Sequence, residues 1–353
     1  MGLSFRLPAE WEPQSAVQIT WPHEKTDWKP MLREITETYV ELAREIAMRE
    51  RLIIVTPNPT EVKELLDYSL PFFAKDNVSY VACPTNDTWA RDHAFITLKS
   101  EKGFRLLDFK FNGWGEKFDA HLDNGINSRL YATGMLKGEY CNCLDFVLEG
   151  GSIESDGHGT VFTTTYCLTA PHRNQPLTRI EIEQKLKERL KAKRIVWIDH
   201  GRLEGDDTDG HIDTLVRIAP ESTLLYVGCD DEHDTQYAEL KAMEQQLTRL
   251  RTHDGRPYRL LRLPMPRPIH DEEGRRLPAT YANFLVINHA VLYPTYGQPD
   301  LDNQAGETIE EAFEGYEMVP FDCCSIIKQN GSLHCCTMQY PEGVIDNGQL
   351  KMI

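Results

Sequence analysis

Near its carboxyl end the chain reads Gln329-Asn330-Gly331-Ser332-Leu333-His334-Cys335-Cys336-Thr337-Met338-Gln339-Tyr340, a glycine turn running straight into two adjacent cysteines. A turn of this kind can deliver a thiol at the mouth of a strand, where a thiolate nucleophile has the access it needs. Most free cysteines are small core residues, so the pair alone does not decide. Reading Cys335 as a nucleophile rests on its company: His211-x-Asp213, Glu149-Gly150-Gly151 and Arg91-Asp92, each beside its own apolar run. Adjacent strand residues point to opposite faces, so only one of Cys335 and Cys336 is expected to face a pocket.

Each of these stretches has its own chemistry. Phe146-Val147-Leu148 drives Glu149 to the end of an apolar strand, where a carboxylate is costly unless it has a partner. Gly205 to Thr214 gathers four carboxylates around His211; the acids resemble a calcium loop but lack its twelfth-position Glu. His211 and Asp213 are expected to open a strand over 215–218, their side chains sharing a face at i, i+2. Asn86-Asp87-Thr88-Trp89-Ala90-Arg91-Asp92 leads into an expected strand over 94–98, and Asp87 or Asp92 could equally be a turn or cap residue paired with Arg91. Gly113-Trp114-Gly115 suits either a packed hairpin or an aromatic wall. Cysteine and histidine together supply a nucleophile and an acid/base, while several carboxylates in one pocket repel each other unless the ligand is a cation. A planar cation that donates paired hydrogen bonds to carboxylates is a guanidinium, so the set points to chemistry at an amidino carbon.

The elements that must position these residues alternate between helix and strand. Leu32, Ile35, Tyr39, Leu42 and Ile46 recur at spacings of 3 and 4, one face of a helix starting near Pro30, and the apolar run 51–56 follows as a strand buried on both faces. A short strand over 16–20 precedes them. Thr178-x-x-Glu181 is a capping box opening a helix lined by Ile182, Leu186 and Leu190, with a strand over 194–198 behind it. Tyr237 to Leu250 marks a third helix between strands at 224–227 and 258–263. Ala305, Ile309 and Phe313 mark a fourth, with Gly315 as its expected C-cap. Residues 265–280, rich in proline and charge, form the one irregular insertion. Asp92, Glu149, His211, Asn283 and Cys335 fall beside strand-like segments at separations of 57, 62, 72 and 52, which divides the chain into five α/β units. A doubly wound sheet is the alternative, and the missing G-x-G-x-x-G loop tells against its dinucleotide-binding use.

Composition narrows the partners. A formal net charge of -17 over 353 residues, with no Lys/Arg-rich run, argues against nucleic acid; an acidic surface favours the approach of cationic small molecules, although charge that serves solubility alone is the commoner case. Met1 to Pro8 has no signal-peptide core, and no apolar run approaches the ~20 residues of a membrane span, so a soluble, cytoplasmic protein is expected. The nine cysteines are expected to be reduced thiols. Cys141-x-Cys143 and the two adjacent pairs lack a tetrahedral ligand set, so no metal is expected.

Seven motifs in order carry a resemblance over nearly the whole chain: P-A-E-W-E-P-Q-S-A-V at the start, N-D-T-W-A-R-D at 86–92, D-F-K-F-N-G-W-G-E-K at 108–117, L-E-G-G-S-I-E at 148–154, D-D-T-D-G-H-I-D-T at 206–214, Y-A-N-F-L-V-I-N at 281–288 and H-C-C-T-M-Q at 334–339. The chain resembles the agmatine deiminase family, also called the bacterial-type peptidylarginine deiminases. The resemblance implies a five-bladed α/β propeller, the pentein fold, with pseudo-fivefold symmetry in a single catalytic domain over 1–353. It implies Cys335 as nucleophile, His211 as acid/base, Glu149 as its carboxylate partner, Asp92 and Asp213 as guanidinium clamps, and Trp89 and Asp207 lining the substrate pocket. The expected reaction is hydrolysis of agmatine to N-carbamoylputrescine and ammonia through an amidino-cysteine, with no cofactor; a homo-oligomer is compatible with it. Rival readings are a peptidylarginine or free-arginine deiminase, an amidinotransferase, and a non-enzymatic metal-binding module. Two departures bear on the substrate's tail. Agmatine-specific members usually carry three glycines where this chain has Gln329-Asn330-Gly331-Ser332, and Gly-Pro where it has His93-Ala94.

Overall fold

The computed structural model describes residues 4–345; Met1 to Leu3, which belong to the amino-terminal stretch read above, and 346–353 lie outside the described residues. Five sheets of three or four strands recur with one wiring. In each three-stranded sheet two strands form an antiparallel pair and a helix-bearing crossover returns the chain parallel to the second. Examples are Ile96–Ser100, Gly103–Lys110 and Glu139–Val147, or Val216–Ala219, Thr223–Val227 and Arg259–Leu263. The parallel step needs a crossover, and the amphipathic helices supply it. Arg179–Leu190, Tyr237–Arg249 and Pro299–Ala312 each bury an apolar stripe. The five α/β units expected from the sequence correspond to these five sheets.

The described chain divides into two compact units. The first, residues 1–150 with 335–353, joins the chain's two ends: Thr337–Pro341 runs antiparallel to Gln14–Thr20, which lies parallel to Leu52–Thr56, itself parallel to Val78–Ala82. The helix Leu32–Ala47 buries Ile35, Tyr39, Leu42 and Ile46 as its spacing predicts. Ala16, Ile53, Val55, Phe95, Leu106, Ile126 and Tyr340 share one core. The second unit, residues 151–334, holds the other three sheets. There the capping box forms as expected: Thr178 Oγ1 accepts from the Glu181 amide and Glu181 accepts from the Thr178 amide at 2.7 Å. Gly306 lies where its helix meets Tyr293, and a Cβ there would stand 2.8 Å from the Tyr293 hydroxyl.

Three local expectations need correction. The strand expected over 94–98 runs Ile96–Ser100, because Ala90–His93 forms a helical turn first. The helix at 299 ends at Ala312 with Phe313 as its cap, so Gly315, at φ +85°, serves the turn beyond. His211 and Asp213 do not open a strand: Ile212–Thr214 is a 3-10 turn and the strand begins at Val216. The segment 265–280 is irregular as expected, closed only by a bridge between His270 and Arg276.

Candidate active site

In the first unit the stretch 86–92 divides its two carboxylates by task. Asp87 is the turn residue, accepting from the Thr88 amide at 2.8 Å. Asn86 and Asp123 clasp each other: the Asp123 carboxylate accepts from the Asn86 amide at 2.7 Å, and the Asn86 side-chain oxygen from the Leu122 amide at 2.7 Å. Burial pushes the Asp87 carboxyl up to about 7 and the Asp123 carboxyl up to about 8, with the charge of Asp27 adding to the first and that of Asp87 to the second. Asp92 follows on the next turn. It is buried on the turn Ala90–His93, and its Oδ2 accepts from the Trp114 indole N–H at 2.9 Å.

Trp114 reaches Asp92 through an unusual backbone. Gly113 and Trp114 both lie in the left-handed region, at φ +66° and +55°, and a Cβ on Gly113 would sit 2.1 Å from the Phe118 carbonyl oxygen. The Trp114 ring meets Phe111, Phe118 and Trp89 edge-on, and Trp89 in turn leans on Trp28. Of the two expectations for Gly113-Trp114-Gly115, the aromatic wall is the one found, with its polar tip on a carboxylate.

Arg91 pairs with Glu10 at 3.1 Å, distant in sequence from the neighbouring acids expected as its partners, and it also bonds to Gln339 on the strand that follows the cysteines. Gly150 completes this junction: a Cβ there would stand 2.2 Å from the Arg91 carbonyl and 2.7 Å from the Met338 methyl. The glycine after Glu149 is thus required by close approach, and Glu149 itself is fully buried at the end of Glu139–Val147. The turn bearing Asp92, the residue after Glu149 and the strand after Cys335 therefore meet around Arg91.

Both cysteines are buried. Cys336 is 0 % exposed, and burial pushes its thiol up to about 12, opposed by a bond to Tyr39 and reinforced by Asp87 and Asp92. Cys335 retains 4 % exposure. The expectation that adjacent strand residues separate the pair needs a different cause: both lie on the 3-10 turn His334–Cys336, ahead of the strand Thr337–Pro341.

In the second unit the acids of 206–213 also divide. Asp206 builds the loop, accepting from the Thr208 amide and hydroxyl and the Gly210 amide at 2.6–3.0 Å, and Thr208 Oγ1 accepts from the His211 amide at 3.0 Å. Asp209 pairs with buried Arg173 at 2.6 Å. Asp207 is left to accept from the Asn330 side-chain amide at 3.0 Å, and Asn330 accepts from Arg275 at 3.0 Å. His211 is fully buried. Asp213, also fully buried, meets His334 Nδ1 at 2.7 Å. Burial raises the Asp213 carboxyl, but the bond from His334 and the electrostatic pull of His334, His211 and Arg217 more than offset it and hold the carboxyl below the ordinary range.

Sequence reasoning missed Glu154, Arg217 and His334. Arg217 bonds Glu154 and stands 3.2 Å from His334 Nε2, all three buried. The one signal available was Arg217 itself, a charge in the middle of the apolar run 215–219, which burial permits only with partners. Among the expected site residues, Trp89, Asp92, Glu149 and Cys335 thus lie in the first unit, and Asp207, His211 and Asp213 in the second.

The chain is similar over nearly its whole length to known proteins. A Porphyromonas gingivalis protein provisionally assigned as an arginine deiminase is 48% identical, covering 97% of this chain and 99% of its own, with a TM-score of 0.91. A C. jejuni agmatine deiminase, solved as a cysteine-to-serine variant with substrate bound, is 36% identical over 98% of both chains with a TM-score of 0.89. The agmatine deiminase of Stutzerimonas stutzeri is 30% identical, covering 96% of this chain and 95% of its own. Residues 6–341 match the family profile described as Porphyromonas-type peptidyl-arginine deiminase. With that profile matched over nearly the whole length, the chain belongs to the Porphyromonas-type peptidyl-arginine deiminase family.

Proposed function

We propose that this protein is a guanidine deiminase that hydrolyses agmatine to N-carbamoylputrescine and ammonia. The observation that carries the chemistry is Asp213, a carboxylate wholly removed from water yet held ionised, which a guanidinium ion can answer. The substrate follows from the relatives named agmatine deiminase at full length. In this reading the Cys335 thiolate attacks the guanidinium carbon while Asp92 and Asp213 hold its nitrogens in plane. His211, oriented by Glu149, protonates the departing nitrogen, the C–N bond breaks and ammonia leaves. An amidino-cysteine remains; water, giving its proton to His211, adds to the same carbon, and the C–S bond breaks to return the thiolate and release the ureido product. Trp89 and Asp207 line the substrate's path, Asp207 meeting the terminal amine. The five sheets are what a five-bladed α/β propeller is assembled from, and we extend the reading to one such catalytic domain acting in the cytoplasm. Among the described residues no helix is long and apolar enough to cross a membrane.

A second reading, deimination of free or peptide-bound arginine, is favoured by one observation. Asn330, in the stretch where this chain departs from agmatine-specific members, links Asp207 to Arg275 of the 265–280 segment, and an arginine there can answer a carboxylate. A panel of agmatine, free arginine and a peptide arginine, scored for ammonia and for the ureido product, decides. The expected outcome is a preference for agmatine over arginine of about a hundredfold in kcat/KM, or roughly 2.7 kcal/mol. Comparable rates with arginine would overturn the agmatine assignment, and a preference for the peptide would establish the second reading.

A further inference from the structure

Resting on the reading of Asp213 as a guanidinium clamp, we propose that His334 is a positioning residue, locked by buried Arg217 in its neutral Nδ1–H tautomer so that it orients Asp213 without neutralising it. Arg217 Nη2 stands 3.2 Å from His334 Nε2. A guanidinium is always protonated and only donates, so Nε2 must offer its lone pair. The single proton of the neutral ring then sits on Nδ1, which donates to Asp213 Oδ2 at 2.7 Å. Protonating His334 would aim an N–H at another N–H and set two cations side by side.

The lock holds because neither partner can turn away. Arg217 donates through Nε to Glu154 Oε1 and through Nη1 to the carbonyls of Ala282 and Phe284, and its guanidinium lies over the Phe284 ring at 4.3 Å. The other Glu154 oxygen accepts from the Ile218 amide at 3.2 Å. The His334 amide donates to the side chain and the carbonyl of Asn283 at 2.9 and 3.1 Å, while Asn283 Nδ2 donates to the Asp213 carbonyl at 3.3 Å. Both residues of the His334–Asp213 pair are therefore fixed at backbone and side chain.

The protonation state has a functional consequence. An imidazolium bonded to Asp213 would have spent the carboxylate's charge before a guanidinium arrived. A neutral imidazole fixes the carboxylate's rotation and leaves the charge for the substrate. The ionisable groups facing Asp213 are His334, His211 and Arg217, with the Arg217 charge balanced by Glu154.

Nitrogen NMR of the full chain labelled at histidine reads the tautomer directly, with the His334 signals assigned by their loss in His334→Asn. The expected result at neutral pH is a protonated Nδ1 and a bare Nε2; an imidazolium, or a proton on Nε2, overturns the proposal. Kinetics with agmatine test the positioning. His334→Leu, which has no donor, should lose at least about tenfold in kcat/KM and move the acid limb of its pH profile upward, as Asp213 loses the bond favouring its ionised form. His334→Asn, whose amide can donate, should recover most of the activity and the parent's acid limb. Equal losses in both variants with an unmoved acid limb would mean a merely structural role. Asp213→Asn separates the two layers: if it turns over agmatine like the parent, the clamp reading itself has failed, whatever the tautomer.

Discussion

At the scale of single residues, the choice of Cys335 over Cys336 rests on the motif match and on the raised thiol of Cys336. A thiol held near 12 in a site without solvent has almost no thiolate at neutral pH, and Cys336 is in that position while Cys335 keeps some exposure. Cys335→Ser should abolish ammonia release, and Cys336→Ser should retain most of it at the cost of burying a hydroxyl beside Tyr39. Mass spectrometry of a quenched reaction should find the amidino adduct on Cys335; an adduct on Cys336 would reverse the assignment. The motif residues Cys335, His211, Asp92 and Asp213 were legible because reactive types in an apolar setting are costly, so their presence needs a reason. Their supports were not. Trp114 reads as an ordinary aromatic until its N–H is seen on Asp92, and His334 is hidden by the cysteines beside it. Hydrogen-bond partners distant in sequence leave no mark in local spacing.

At the scale of elements, helices were the more legible part because their apolar stripes repeat over several turns, and Leu32–Ala47 begins within two residues of its expected start. The misreading at 211–214 has a physical cause. The polar-apolar alternation there fits a strand, but Asp206 and Thr208 bond to the backbone that follows and wind it into a turn instead. A second element set by local geometry is the turn Gly113–Glu116, and it carries a prediction. Gly113→Ala must force a Cβ into the Phe118 carbonyl at a positive φ, so Trp114 has to move and its bond to Asp92 is lost. Thermal unfolding should show a loss of roughly 2 kcal/mol or more, and kcat/KM should fall at least about tenfold from the lost charge-assisted bond alone. Gly255→Ala is the control: its φ is also positive, at +85°, but nothing lies within 4 Å of the new Cβ. It should lose stability modestly and keep full activity. Equal behaviour of the two variants would show that backbone strain, and not the placement of Trp114, governs the effect.

At the scale of the whole molecule, the five-unit division was legible because Asp92, Glu149, His211, Asn283 and Cys335 fall beside strand-like segments at separations of 57, 62, 72 and 52. The pairing of Thr337–Pro341 with Gln14–Thr20 was not, since no local pattern marks partners more than three hundred residues apart. Net charge is the other property that belongs to no single element. With a formal charge of -17, the protein attracts cations over a distance set by the Debye length, about 30 Å at 0.01 M salt and about 8 Å at 0.15 M. Agmatine carries two positive charges at neutral pH and arginine a net one, so the attraction is stronger for agmatine and has more to lose on screening. Contacts inside the buried site are screened far less, so kcat should stay level as salt is added. Between about 0.01 and 0.15 M sodium chloride, kcat/KM for agmatine should fall about threefold or more, with a shallower fall for arginine. The discriminating quantity is the ratio of the two slopes: if it is one, the acidic surface serves solubility alone, and the preference for the dication arises wholly at Asp207 and its neighbours.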